Sequence, residues 1–194
     1  MRKASLLLIP LIFLISCGPA IKSTKPYSTE VNLSVPFEPN IGASCVASSF
    51  AMIMRYWGRN VTVHDVVEVV GAPPIPRSPE FPWLARWMKK HHGLKLIWVP
   101  YSKIDHLKLY VREGYPVMVL QRYKLNNSIG HNRVVIGYSD KRACFIVNDP
   151  SPLGPAYEIP YYVFVRLWSG MKWTDGRPMP ERHDAYLVIP SGKK

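Results

Sequence analysis

The chain of 194 residues is short of cysteine, short of acid and without a long hydrophobic run, and each shortage excludes something. Three cysteines, Cys17, Cys45 and Cys144, are too few for a disulfide scaffold, and no His/Cys cluster has zinc-ligand spacing. Thirteen Asp and Glu stand against 25 Lys and Arg, a net charge of +12 that favours anionic partners. The apolar run 6–15 is about half the roughly 20 residues that a membrane-spanning helix needs, and Pro10 breaks it. Repeats, heptads and low-complexity tracts are missing, which excludes solenoids and coiled coils. No basic-aromatic motif of the kind that binds nucleic acid occurs, and no nucleic-acid partner is expected.

What is present begins with an export signal. Met1-Arg2-Lys3 is basic, 6–15 is apolar, and Ser16-Cys17-Gly18 offers a small-residue cleavage site. Leu14-Ile15-Ser16-Cys17 resembles a bacterial lipobox, in which cleavage precedes an acylated cysteine. That resemblance implies a lipoprotein signal peptide over 1–16, a lipidated Cys17 and a tether through 34 carrying Pro19 and Pro26. An ordinary signal peptide with a chance cysteine is the alternative. The expected location is the cell membrane, on its extracytoplasmic side, with the acyl chains as anchor. Losing Arg2 and Lys3 lowers the charge from +12 to +10, still suited to anionic headgroups or wall polymers.

Residues 35–194 are enough for one domain with a full hydrophobic core. Val46, Phe50, Ile53, Met54 and Trp57 recur at helical spacing, so a buried helix is expected over 45–57, closed by Gly58. Thr62 and Asp65 form a capping box for a short helix ending at Gly71, and Ser78-Pro79 opens another that carries Trp83, Leu84, Trp87 and Met88. A strand over 94–99 follows, then a helix capped by Ser102 with Asp105 and ending at Gly114. Val- and Ile-rich runs at 116–121, 134–138 and 144–147 predict adjacent strands, with a helix over 161–168 and a closing strand over 185–189. The class is α+β, helices first and an antiparallel sheet second. Trp57, Trp83, Trp87 and Trp168 are assigned to packing, and His91-His92 to a solvated helix end.

Cys45 is the residue with chemistry. It heads the expected buried helix, where the macrodipole and unpaired N–H groups favour a thiolate, the nucleophilic form. Cys45 and Cys144 are also the only intrachain pair available for a disulfide, although the strand-like run around Cys144 favours a buried free thiol.

Val35-Pro36-Phe37-Glu38-Pro39-Asn40, Cys45, Gly114-Tyr115-Pro116-Val117, Gly130-His131, Ile136-Gly137-Tyr138 and Asn148-Asp149-Pro150 together resemble the bacteriocin-processing (double-glycine leader) peptidase-like family of papain-like cysteine peptidases. The resemblance implies Cys45 as nucleophile, His131 as general base and acid, and Asp149 as the group that orients the imidazole. It implies a peptide or protein substrate, and no cofactor or metal. Two positions depart from the pattern. Asn40 stands where the family usually has the Gln that helps the cysteine N–H hold the oxyanion, and Val46 stands beside the nucleophile where a small residue is usual. Gln121, Arg122, Tyr123, Asn126, Asn127 and Ser128 precede His131 and are placed to shape a cleft. Two other readings stay open: a papain-like peptide-binding lipoprotein that is weak or inactive as a catalyst, and a structural surface lipoprotein.

Overall fold

The computed structural model describes residues 21–40, 44–71, 81–173 and 175–192. The signal segment, Cys17 and the helix start expected at Ser78-Pro79 lie outside them. The elements run β1 (Glu30–Asn32), α1 (Cys45–Tyr56), α2 (Val63–Val70), α3 (Pro82–His92), β2 (Leu94–Val99), α4 (Ile104–Arg112), β3 (Val117–Lys124), β4 (Asn127–Ser139), β5 (Cys144–Asp149), β6 (Gly154–Pro160), α5 (Tyr161–Leu167) and β7 (Ala185–Pro190). The strands form one antiparallel sheet in the order β2-β7-β3-β4-β5-β6, as the α+β reading requires.

The central strands are buried on both faces, which is why they read as continuous apolar runs rather than alternating ones. Met118, Val134, Ile146, Tyr186 and Val188 point into a core with α1, α2 and α3. Their neighbours Val117, Val119, Val135, Val147 and Leu187 point into a second core with α4 and α5. The helices are therefore not all on one side: the later two cover the face that the first three leave open. α1 is buried nearly all round, with Phe50, Ala51, Met52, Ile53 and Met54 sealed from solvent. At about 1.5–3 kcal/mol for each large apolar side chain, this burial holds the helix that begins at Cys45 in place.

The capping box at Thr62 and Asp65 forms as the sequence indicates. Ser102 does not cap α4. Its hydroxyl donates to the Val99 carbonyl at 3.0 Å, and the helix begins behind Lys103.

The segment read as an irregular tether also contributes structure. Ser23, Thr24 and Lys25 hydrogen-bond the Glu113 carboxylate, and β1 pairs with the end of β4. β1 takes the β4 edge that β3 vacates beyond Val135. A bulge puts one extra residue, Ile136, between the Val135 and Gly137 pairings with β5. It shifts the alternation, so Tyr138 joins the α4/α5 core that Val135 also faces.

Gly137 makes the β1 pairing possible. A Cβ at this position would lie 2.4 Å from the Val31 carbonyl oxygen and 3.1 Å from Asn32 Cα, both backbone atoms that have no rotamer to change. Gly137→Ala should cost about 1–3 kcal/mol, the usual penalty of overpacking, or detach β1. Urea denaturation, with hydrogen exchange at the Val31 amide, reads both outcomes, and a variant of wild-type stability with β1 still protected would refute the close approach.

Candidate active site

α1 starts at Cys45 because Ser44 caps it: the Ser44 hydroxyl accepts from the Ala47 N–H at 3.4 Å, and its carbonyl from the Ser48 N–H at 3.1 Å. The half-buried thiol thus sits in the first turn, at the positive end of a helix fixed by the core. Cys144 is also a free thiol, so the two form no disulfide. It is buried, and burial together with the nearby Glu158 pushes its thiol up.

The partners of Cys45 come from β4 beyond the point where β5 stops pairing. The β5 ladder runs only as far as Val134, whereas β3 follows β4 down to Asn127. His131 therefore stands on a stretch of strand open on one side. Its ring faces the same cleft as Cys45, near enough for each group to shift the other's ionisation, and its Nε2 lies 2.7 Å from Asp149 Oδ1. Asn132, of opposite parity, donates from Nδ2 to the Cys45 sulfur at 3.6 Å.

Asp149 ends β5, fully buried. Its Oδ1 also accepts the Ser151 N–H at 2.9 Å, and its Oδ2 accepts Arg133 Nε at 2.7 Å. Arg133 is itself buried and spends its other donors on β3 carbonyls, Arg122 at 3.0 Å and Tyr123 at 2.7 Å. The Tyr123 ring in turn meets His131 edge-on, centroids 5.0 Å apart.

The electrostatics follow from these contacts. Burial works against the charged form of each group, and the partners outweigh it in all three. His131 and Asn132 hold the Cys45 thiol below its ordinary value. Asp149 and Cys45 hold the His131 imidazole above its own. The hydrogen bond from His131 and the charge of Arg133 hold the Asp149 carboxyl well below the usual carboxylate range. A thiol that loses its proton easily beside an imidazole that keeps one is the arrangement of a thiolate–imidazolium pair.

Cys45 and His131 line a cleft of about 630 Å³, with Asn40, Phe37, Tyr123 and Ile129 among its walls. Asn40 is exposed at its rim, its backbone N–H donating to the Pro150 carbonyl at 2.8 Å. Val46 does not narrow the cleft: it is 5% exposed and packs into the α1–α3 core. Of the loop residues flagged before His131, Tyr123 and Asn127 line the cleft, whereas Gln121 is buried and donates to the Phe164 carbonyl. Trp168 is buried, and Trp57, Trp83 and Trp87 pack against the core. Ser44, Asn132 and Arg133 escaped the sequence reading. The serine immediately before a predicted helix was the one available signal; a strand arginine whose partners lie on other strands left none.

Residues 24–173 match the model of the Peptidase_C39 like family, and no curated protein matches the chain. Among solved structures, a C39-like peptidase from Bacillus anthracis is 18% identical over 84% of this chain and 98% of its own, with a TM-score of 0.61. The double glycine motif protease from an AMS/PCAT transporter, solved with a leader peptide, is 17% identical over 82% and 94%, TM-score 0.57. The peptidase domain of Streptococcus ComA, a bifunctional ABC transporter of a quorum-sensing pathway, is 15% identical over 79% and 97%, TM-score 0.54. At these identities the likeness is one of fold. The fold and the family match together define a cysteine peptidase of papain-like architecture. The chain belongs to the Peptidase_C39 like family.

The Arg133–Asp149 pair has a measurable signature. Arg133→Met strands a buried carboxylate and should destabilise the domain by about 3–5 kcal/mol, whereas Arg133→Met combined with Asp149→Asn removes both charges and should recover most of the loss. Urea melts of the two variants decide it: a single substitution costing under about 1 kcal/mol would show that the pair is not desolvated as described.

Proposed function

We propose that the protein is a membrane-anchored, extracytoplasmic thiol peptidase that cleaves peptide bonds with a Cys45–His131–Asp149 triad. The reading rests on one observation: Cys45 and His131 line one cleft, and the His131 Nε2 that stands behind it is held at 2.7 Å by the buried Asp149 carboxylate. Cys45 as thiolate attacks the scissile carbonyl carbon, forming a C–S bond and an oxyanion. The Cys45 N–H and the Asn40 side-chain amide are the proposed donors to that oxyanion. As the C–N bond breaks, the His131 imidazolium gives its proton to the leaving amine. Water then enters, His131 takes its proton, hydroxide attacks the thioester, and the acid product leaves with the thiolate restored. Asp149 keeps the ring in the orientation that serves both steps. Arg133 is a positioning residue in this scheme. It fixes the carboxylate and offsets part of its charge, so Asp149 acts on His131 mainly as a directed acceptor.

The membrane anchor is proposed from the lipobox-like sequence alone. Labelled palmitate should enter the protein in bacterial cells and be lost on Cys17→Ala, and labelling that survives this substitution would remove the anchor from the proposal.

The thiol supplies the test of the triad. Because Cys45 is lowered and His131 raised, the ion pair persists into mildly acidic solution and is lost on the acid side as the thiolate takes a proton. At about pH 6.5 iodoacetamide should modify Cys45 roughly ten- to a hundredfold faster than an unperturbed cysteine, and His131→Ala should abolish the advantage. Cleavage of a peptide library should vanish on Cys45→Ala. Reactivity no greater than that of a free thiol would instead favour a peptide-binding module without turnover.

A further inference from the structure

The cleft does not end at the nucleophile. Across Tyr123, Asn127 and Ile129, which serve as common walls, it adjoins a second hollow of about 640 Å³. The β3–β4 turn brings Lys124 to this hollow, and the segment after α5 brings Lys172 and Trp173. The two sides are joined by backbone: the Lys172 N–H donates to the Ser128 carbonyl at 2.7 Å, and the Gly130 N–H to the Lys172 carbonyl at 3.3 Å. Gly130 immediately precedes His131, so the hollow is held in register with the reacting groups.

Its charge is of one sign. Lys124 and Lys172 line it, and among the described residues no Asp or Glu does. Neither lysine has an ion pair among the described residues. Lys124 Nζ lies 5.3 Å from the centroid of the Tyr123 ring, and the neighbouring Asp175 is engaged by Arg177 at 2.7 Å. Like charges placed on two sides of one depression raise the local potential and attract an anion between them. Tyr123 and Trp173 add ring surface along which an aliphatic stem can lie. A peptide reaching Cys45 through the first cleft passes the shared wall, so the anion most simply supplied here is one carried by the substrate itself.

We propose that this hollow is a subsite for a carboxylate borne by the peptide substrate, on an Asp or Glu side chain or at the chain's C-terminus, with Lys124 and Lys172 as its counter-ions. It rests on the peptidase reading above and specifies the substrate class of that site.

Peptides of one sequence, with Glu, Gln or Lys moved through the positions on either side of the scissile bond and with free or amidated C-termini, test it. At one position, Glu should exceed Gln in kcat/KM by roughly three- to tenfold at low salt, the yield of two exposed ion pairs, and the advantage should fade in about 0.5 M salt. An advantage that follows the free terminus instead assigns the carboxylate to the chain end. Lys124→Glu/Lys172→Glu should erase the preference and turn it toward Lys. Lys89→Glu/Lys90→Glu, an equal charge change at the far end of α3, should leave it intact. No Glu or terminal preference, a preference that survives reversal at Lys124 and Lys172, or one that falls equally with Lys89 and Lys90 would each overturn the subsite. Fluorescence anisotropy of the same labelled peptides on the Cys45→Ala protein repeats the comparison without turnover. Absence of cleavage would thus count against the triad, and absence of charge-dependent affinity against the subsite.

Discussion

Asp149 must be ionised where no solvent reaches it, and much of the surrounding chain is arranged so that it can be. Burial alone would drive the carboxyl toward its neutral form. Two cationic groups and the Ser151 N–H reverse that, leaving the group strongly acidic. The cost of desolvating Arg133 is met in the same way, by two β3 carbonyls as well as the carboxylate. The consequence is mechanical. One ion network ties the end of β5 to the β3–β4 hairpin, and through Tyr123 it reaches the wall of the cleft. The position of His131 and the shape of the cleft therefore have a common support.

That network exists because of where β4 sits. Its upper half is sealed between two apolar cores, and its lower half outruns β5. Alternation then does the sorting. His131 and Arg133 share the parity of Val135 and meet Asp149, whereas Asn132 has the parity of Val134 and meets the sulfur on α1. A single strand thus holds Asp149 with two residues of one face and turns Asn132 of the other toward the Cys45 sulfur. The bulge at Ile136 lies above the site and leaves this lower register alone, while changing which face Tyr138 serves.

The parts of this fold that depend on buried apolar area were legible in the sequence. α1 could be read from its helical apolar spacing, β3, β5 and β7 from the short apolar runs inside them, and the α2 cap because it is local. What escaped was polar or peripheral. β1 is three residues long, and β6 buries only Ile159, so neither carries a pattern. The lower end of β4 starts earlier than its sequence suggests, because Asn127 and Ser128 read as a turn and Gly130 to Arg133 carry no apolar alternation. A family resemblance singled out Cys45, His131 and Asp149 in the sequence, and the fold brings His131 against Asp149 and sets Cys45 and His131 on one cleft. Arg133 had no such signature, since its partners at Arg122, Tyr123 and Asp149 become neighbours only once three strands pair.

The two departures from the family pattern turn out to be of different kinds. Val46 follows Cys45 in sequence but points away from it, because a helix places consecutive side chains about 100° apart and α1 turns this one into the core. Its branching is therefore a packing matter. Asn40 is different, being on the cleft, and here the backbone rather than the side chain sets the reach. The strap that carries it is pinned at three points: Asn148 Nδ2 donates to the Val35 carbonyl at 3.2 Å, Ser48 Oγ to the Pro39 carbonyl at 3.0 Å, and Asn40 itself to the Pro150 carbonyl. One pin belongs to the helix that Cys45 begins, and two to the residues flanking Asp149. Asn lacks one methylene relative to Gln, about 1.5 Å of reach. In the proposed mechanism that deficit is a question of where the strap is held, and it is held by the same two elements that hold the thiol and the carboxylate.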